Sequence, residues 1–202
     1  MPAPDRPFQD SRALWDTEAE RFDEEADHGL RDPQVRSAWA ALLAEVLGTH
    51  PLRVADLGCG TGSLSLLLHD LGHQVTGLDL SPRMLNNARE KAGRAVTFLE
   101  GDASRPNLPR DSFDAVVCRH VLWALPDPRK ALSNWAKLLV PGGSVLLIEG
   151  RWHTGAGLSA EEVRRAVPPS LRWTATRSLS DHHALWGGPV SDERFLFTAR
   201  RR

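Results

Sequence analysis

The sequence predicts an α/β fold, a doubly wound and mostly parallel sheet with helices on both faces. Three observations carry this. The apolar run Leu52-Arg53-Val54-Ala55 leads into Asp56-Leu57-Gly58-Cys59-Gly60-Thr61-Gly62-Ser63, and leucines 64, 67, 68 and 71 follow at helical spacing. A glycine-rich turn therefore joins a strand to a helix, the place where α/β proteins hold nucleotide-like ligands. Further strand-like runs reach an acid at or just past their carboxyl ends, and helical patterns separate them.

The elements follow in order. Residues 1–10 are proline-rich and expected to be irregular. Ser11 to Phe22 reads as a helix with Trp15, Ala19 and Phe22 on one stripe. Asp32-Pro33 opens a second helix, with Val35, Trp39, Leu42, Leu43 and Val46 on its apolar face and Gly48 as its stop. Gln74 to Asp79 is a second strand, and Ser81-Pro82 supplies the cap and first turn of the next helix. Val96 to Glu100 is a third strand, followed by Gly101-Asp102-Ala103. Phe113 to Cys118 is a fourth. Asp127-Pro128 opens a helix with Ala131, Leu132, Trp135, Leu138 and Leu139 facing inward. Pro141-Gly142-Gly143 breaks the chain before a fifth strand, Ser144 to Glu149. Ser159-Ala160-Glu161-Glu162 is a capping box before a short helix that stops at Pro168-Pro169. Leu171 to Ser178 and Glu193 to Arg200 read as two final strands.

The turn's spacing selects among ligands. A dinucleotide fingerprint is G-x-G-x-x-G. Here glycines 58, 60 and 62 give G-x-G-x-G, with Asp56 two residues before the first. A carboxylate there repels a pyrophosphate and suits a ligand with a cationic end. Asp79 lies about twenty residues further on, where an acid accepts hydrogen bonds from a ribose diol.

This segment resembles motif I of the class I S-adenosylmethionine-dependent methyltransferases, of the bacterial small-molecule type. The Phe113-Asp114-Ala115-Val116-Val117 run and the Pro-Gly-Gly before Val145-Leu146-Leu147-Ile148-Glu149 are also similar to that family. The resemblance is strong over about residues 50–150 and weak in the flanks. It implies a Rossmann-like seven-stranded sheet ending in an antiparallel hairpin, a helical lid over residues 1–50 and a core over 51–202, one domain overall. It implies S-adenosylmethionine as cofactor and S-adenosylhomocysteine as product. Asp56, Gly58, Cys59, Gly60 and Gly62 would hold the aminoacyl end and Asp79 the ribose. Asp102 would accept from the adenine amino group. Met84 would pack on the adenine or else belong to the core. Leu80, Ala103 and Arg119 would be further cofactor contacts.

The loop after the fourth strand, Arg119-His120-Val121-Leu122-Trp123, borders the methyl group in this fold. His120 is the candidate base, or a ligand-lining residue only, and Trp123 can stack on the acceptor. Trp152 and His153, after the fifth strand, are further acceptor contacts. Trp15, Phe22, His28 and Arg36 are lid residues expected to face the pocket. Many relatives carry tyrosines in the first helix, whereas this chain has none.

Composition sets the outer bounds. The 202 residues suit one domain. A net charge of -1 gives no basic field for nucleic acid. The base-methylating signature, Asn/Asp-Pro-Pro-aromatic, does not stand after the fourth strand. Arginine outnumbers lysine 22 to 3, the bias of a GC-rich bacterial genome. No apolar run reaches membrane-spanning length, no apolar leader opens the chain, and two cysteines without metal spacing fit a reducing cytoplasm. No metal is expected, because no His/Asp cluster has ligand spacing along the chain. The expected reaction is methyl transfer to oxygen, nitrogen or carbon of a small molecule, a bacterial secondary metabolite. The alternatives are methylation of a peptide amino terminus, cofactor binding without transfer, and a nicotinamide oxidoreductase, which the glycine spacing disfavours. Oligomeric state is not readable.

Overall fold

The computed structural model describes residues 8–202, so most of the proline-rich stretch expected to be irregular lies outside the described residues. Seven strands form one sheet: β1 Arg53–Leu57, β2 Gln74–Asp79, β3 Thr97–Glu100, β4 Phe113–Arg119, β5 Leu139–Arg151, β6 Leu171–Ser178 and β7 Glu193–Arg201. Their order is β3-β2-β1-β4-β5-β7-β6. The first five pair in parallel, and β7 runs antiparallel to both β5 and β6. The order reverses between β1 and β4. Their carboxyl ends therefore open on the crevice where such sheets bind ligands.

Alternation along the central strands feeds two cores. Val54, Ala115, Val117, Leu146 and Ile148 face one side, under α3 Pro33–Leu47, α4 Ser63–Asp70 and α5 Pro82–Ala92. Ala55, Leu57, Val116, Cys118, Val145 and Leu147 face the other, under α6 Pro128–Ala136 and α7 Ala160–Ala166. The helix starts follow from the capping residues. Asp32 Oδ1 accepts from Gln34 N–H at 2.7 Å, Asp127 Oδ1 from Lys130 N–H at 2.9 Å, and Ser159 with Glu162 forms a reciprocal capping box.

Three expectations need correction. The first helix, α1, spans Phe8–Glu18, and Phe22 instead opens a separate 3₁₀ turn, Phe22–Glu24. A short helix, α2 Ala26–Gly29, follows; its four residues, Ala-Asp-His-Gly, are too few to show an apolar period. The fifth strand begins at Leu139 and passes through Pro141-Gly142-Gly143. Leu139 pairs with Phe113 and Ser144 with Ala115, so the extra residues are absorbed as a bulge, with Gly142 at φ +79°. The helix α3 also packs in the core: Trp39 is fully buried and donates from Nε1 at 2.8 Å to the carbonyl of Leu185, within the short helix α8 His183–Trp186.

Trp135 illustrates how a core residue shapes the site edge. It is fully buried on α6, and its Nε1 donates to the Ala103 carbonyl at 2.6 Å, fixing the turn after β3. Trp135→Ala should cost about 3–5 kcal/mol in urea unfolding. Trp135→Phe keeps most of the volume and should lose only about 1 kcal/mol, the bond itself. No described helix is long and apolar enough to cross a membrane.

Candidate active site

The glycine turn sits between β1 and α4 and folds back on β2. Gly58 and Cys59 both donate to the Leu78 carbonyl, at 2.7 and 3.1 Å. Gly58 adopts φ +77°, and a Cβ there would lie 2.4 Å from a Val121 methyl, so both backbone angle and space require glycine. Gly60 N–H donates to Asp79 Oδ2 at 2.7 Å, and Ser81 N–H to Asp79 Oδ1 at 2.9 Å. The β2 acid therefore grips the turn by one oxygen and its own helix start by the other. Each oxygen keeps lone pairs for a ligand. Burial pushes the Asp79 carboxyl up, against the pull of these amides. Asp56 is buried behind the turn and accepts from Ser65 Oγ at 2.5 Å. Burial pushes it up to about 6, opposed by the Ser65 hydroxyl and the nearby Arg119 charge. Asp102, half-buried, accepts from Ser104 N–H and Oγ, both at 2.7 Å, which holds the turn after β3.

The segment from α1 to α2 lies across this edge and is fastened to it by carboxylates. Asp16 Oδ1 accepts from Ser81 Oγ at 2.5 Å. Asp23 accepts from Thr61 Oγ1 at 2.5 Å and pairs with Lys91 at 2.8 Å. Phe22 lies over Gly60, stacks on His28 with ring centroids 4.3 Å apart, and meets Trp15 edge-on at 6.4 Å. Arg119, at the end of β4, donates to the Asp27 carbonyl and lies 5.2 Å over the Trp39 ring.

His120 follows in the left-handed conformation, φ +58°, an uncommon state for a residue with a side chain. Its N–H bonds the Ile148 carbonyl at 2.8 Å, and its carbonyl accepts from Trp123 Nε1 at 2.9 Å. Its ring meets the edge of Trp152 at 5.3 Å and stacks at 6.0 Å on Trp186. Arg194 lies 4.8 Å over Trp186 and 5.7 Å over Trp152. Burial and the Arg119 and Arg194 charges push His120 well below its ordinary range, so its imidazole is neutral near pH 7. Burial also lowers His28. Beneath this loop Glu149 is fully buried, and Oε1 accepts from Val121 N–H at 3.1 Å and Leu122 N–H at 2.7 Å. Burial pushes it up to about 8.

The structure thus brings Asp56, Gly58, Gly60, Gly62, Asp79, Leu80, Asp102 and Ala103 to one edge, with Arg119, His120, Trp123, Trp152, Phe22 and His28 beside them. Three sequence expectations do not hold in space. Arg36 pairs with Asp70 at 2.5 Å, at the far end of α4, because the inward stripe of α3 is Val35, Trp39, Leu42 and Leu43. His153 has a 77% exposed side chain beside Asp192. Cys59 turns its sulfur inward, 3.0 Å from where a Gly77 Cβ would stand, and its N–H is spent on β2, so it packs the core. Met84 is buried in the first turn of α5. Sequence reasoning missed Asp27, Glu149, Trp186 and Arg194. Glu149 had a signal, since it too is an acid at the carboxyl end of a parallel strand. The other three meet the site only through tertiary packing.

Residues 55–147 match the family model described as a methyltransferase domain. A demethylmenaquinone methyltransferase of Deinococcus radiodurans is 40% identical over 114 residues, 54% of this chain and 47% of that protein. A trans-aconitate 2-methyltransferase of Streptomyces coelicolor is 34% identical over 142 residues, 65% of this chain and 45% of that protein. The chain spans about half the length of these curated relatives. In fold it is similar to the N-methyltransferase NodS of Bradyrhizobium japonicum, solved with S-adenosyl-L-homocysteine. The TM-score is 0.69 at 23% identity, covering 93% of this chain and 98% of that one. Over residues 55–147, which carry the left-handed glycine turn, the chain is therefore similar to methyltransferase domains, and its strand order and overall fold are similar to those of NodS.

Proposed function

We propose that this chain binds S-adenosylmethionine at the carboxyl edge of its sheet and transfers the methyl group to oxygen, nitrogen or carbon of a small molecule, a bacterial secondary metabolite. One observation carries the reading: Asp56, Asp79 and the turn acid Asp102 stand at the ends of three adjacent parallel strands around the glycine turn. These residues fit the cofactor. A buried carboxylate behind the turn suits an ammonium, and the Asp79 oxygens suit vicinal hydroxyls. Asp102 suits an exocyclic amine.

The cofactor supplies an activated methyl group on a positively charged sulfur. The protein's part is then chiefly alignment, which can contribute roughly 7–11 kcal/mol. Phe22, Trp15 and His28 close the edge from the α1–α2 side and exclude water. Trp123 and Trp152 wall the acceptor space. His120, neutral and buried among them, accepts a proton from an acceptor hydroxyl or amine, a contribution of about 10²–10⁴-fold. The relatives named for demethylmenaquinone and trans-aconitate support a small acceptor. A basic peptide has less support, because Asp23, in the acid-rich stretch between α1 and α2, is already engaged by Thr61 and Lys91. The buried free thiols Cys59 and Cys118 suit a reducing cytoplasm.

Methyl-labelled S-adenosylmethionine, purified protein and fractionated extract of the source cells test this. Label is expected in a low-mass fraction, whose mass then identifies the acceptor. Label in peptide fractions alone would overturn the small-molecule reading, and no transfer to any fraction would leave a binding protein.

A further inference from the structure

Asp27 and His28 lie on α2, and His120 lies in the loop after β4. One ligand-capable atom from each falls within 4.8 Å of the other two. Asp27 Oδ2, His28 Nδ1 and His120 Nε2 are each buried, and none has a hydrogen-bond partner among the described residues. A buried polar atom without a partner costs about 1–3 kcal/mol. Unpartnered buried atoms on three residues that converge from two separate segments therefore call for a shared occupant.

We propose that Asp27, His28 and His120 form a binding site for one first-row divalent transition-metal ion. Two imidazoles and one carboxylate are the donor set such ions take, and hard Mg²⁺ and Ca²⁺ prefer oxygen alone. A point between three corners at most 4.8 Å apart lies no more than about 2.8 Å from each. Zinc–ligand distances are roughly 2.0–2.2 Å, so an inward shift of at most about 0.6–0.8 Å completes the set. The α2 helix has four residues and is joined to α3 by a short link, so this shift is small for it.

Two cations border the site. Arg194 has one terminal nitrogen 4.0 Å from Asp27 Oδ2, but its guanidinium pairs with Asp192 at 3.2 Å and lies over Trp152 and Trp186. Arg119 is engaged with the Asp27 carbonyl and the Trp39 ring. Both cations lower metal affinity without occupying the site. The ion would tie α2 to the loop after β4 and leave coordination positions open. If methyl transfer occurs as proposed above, an acceptor oxygen would take one of them, and with His120 Nε2 on the ion the metal would activate that oxygen in place of His120 as base. That use rests on the functional reading, whereas the site itself does not.

The test is titration of chelator-treated full chain with Co²⁺, followed by its visible d–d absorption and by competition with Zn²⁺. One equivalent is expected, displaced by Zn²⁺. His28→Ala, His120→Ala and Asp27→Ala should each weaken binding at least tenfold, while exposed His153→Ala should leave it unchanged. Circular dichroism checks the fold, and His28→Asn and His120→Asn replace any alanine variant that fails to fold. No Co²⁺ uptake, as for a bridging water, or uptake indifferent to all three residues overturns the proposal. Labelled-methyl transfer measured on the same sample separates the two readings. Metal without transfer sinks the functional one, and transfer without metal sinks this one.

Discussion

Asp79→Ala is expected to weaken S-adenosylmethionine binding by about 10²–10⁴-fold in isothermal calorimetry. Hydrogen bonds to a charged group contribute roughly 1.5–3 kcal/mol each, and the proposed ribose contact has two. The substitution also frees Gly60 N–H and Ser81 N–H, both now held by this carboxylate at 2.7 and 2.9 Å. The turn therefore loses its anchor to β2 as well. Asp79→Asn separates the two roles. Its single carbonyl oxygen can keep one backbone bond, but its NH₂ group donates where the diol needs an acceptor. The asparagine variant should recover stability more than affinity. Unchanged affinity in Asp79→Ala would mean that the ribose lies elsewhere.

The second large effect is a pH dependence set by Asp56. Burial raises its carboxyl to about 6, above the ordinary 3.8. The folded protein therefore holds this proton more tightly than the unfolded chain. Stability from this group is full below about pH 4 and is lost as pH rises through about 6, a change of ~3 kcal/mol. A ligand bearing an ammonium selects the ionised form, so affinity should fall about tenfold per pH unit below about 6. Calorimetry across pH 5–8 measures this directly. Asp79 is raised by burial in the same direction, so Asp56→Asn is the control. It should raise thermal stability near pH 7 while flattening the acid limb of whatever binding remains. An affinity independent of pH in the native protein would remove Asp56 from contact with the ligand's cationic end.

The glycine turn and the acids around it were legible because they are local. A turn with three left-handed glycines, an acid two residues before it and acids at the ends of successive strands are all written along the chain. The strands needed only alternation and length. The cluster around His120 was read less well for a physical reason. Asp27, His120, Trp186 and Arg194 come from four segments, and only packing of α2 and the β6–β7 connection against the β4 loop brings them together. No spacing rule encodes that. Linear spacing likewise gave no sign of the Asp27, His28 and His120 cluster. Arg36 failed for a different reason: one residue past Val35 on a helix is about 100° away from the buried face. Cys59 failed because position in a ligand turn does not say which way a side chain points.

The two cores on opposite faces of the sheet have a consequence for how this protein can change. Leu43 and Leu132 are both buried, but one sits under α3 and the other under α6, with the sheet between them. Cavity-forming substitutions at such separated sites without shared partners add to within about 0.3–0.5 kcal/mol. Epistasis is therefore confined largely to each face. The α3 face, which carries Trp39 and through it Arg119, can therefore vary without disturbing the α6 face, which holds the Asp102 turn in place. Innovation and persistence are divided between two sides of one sheet.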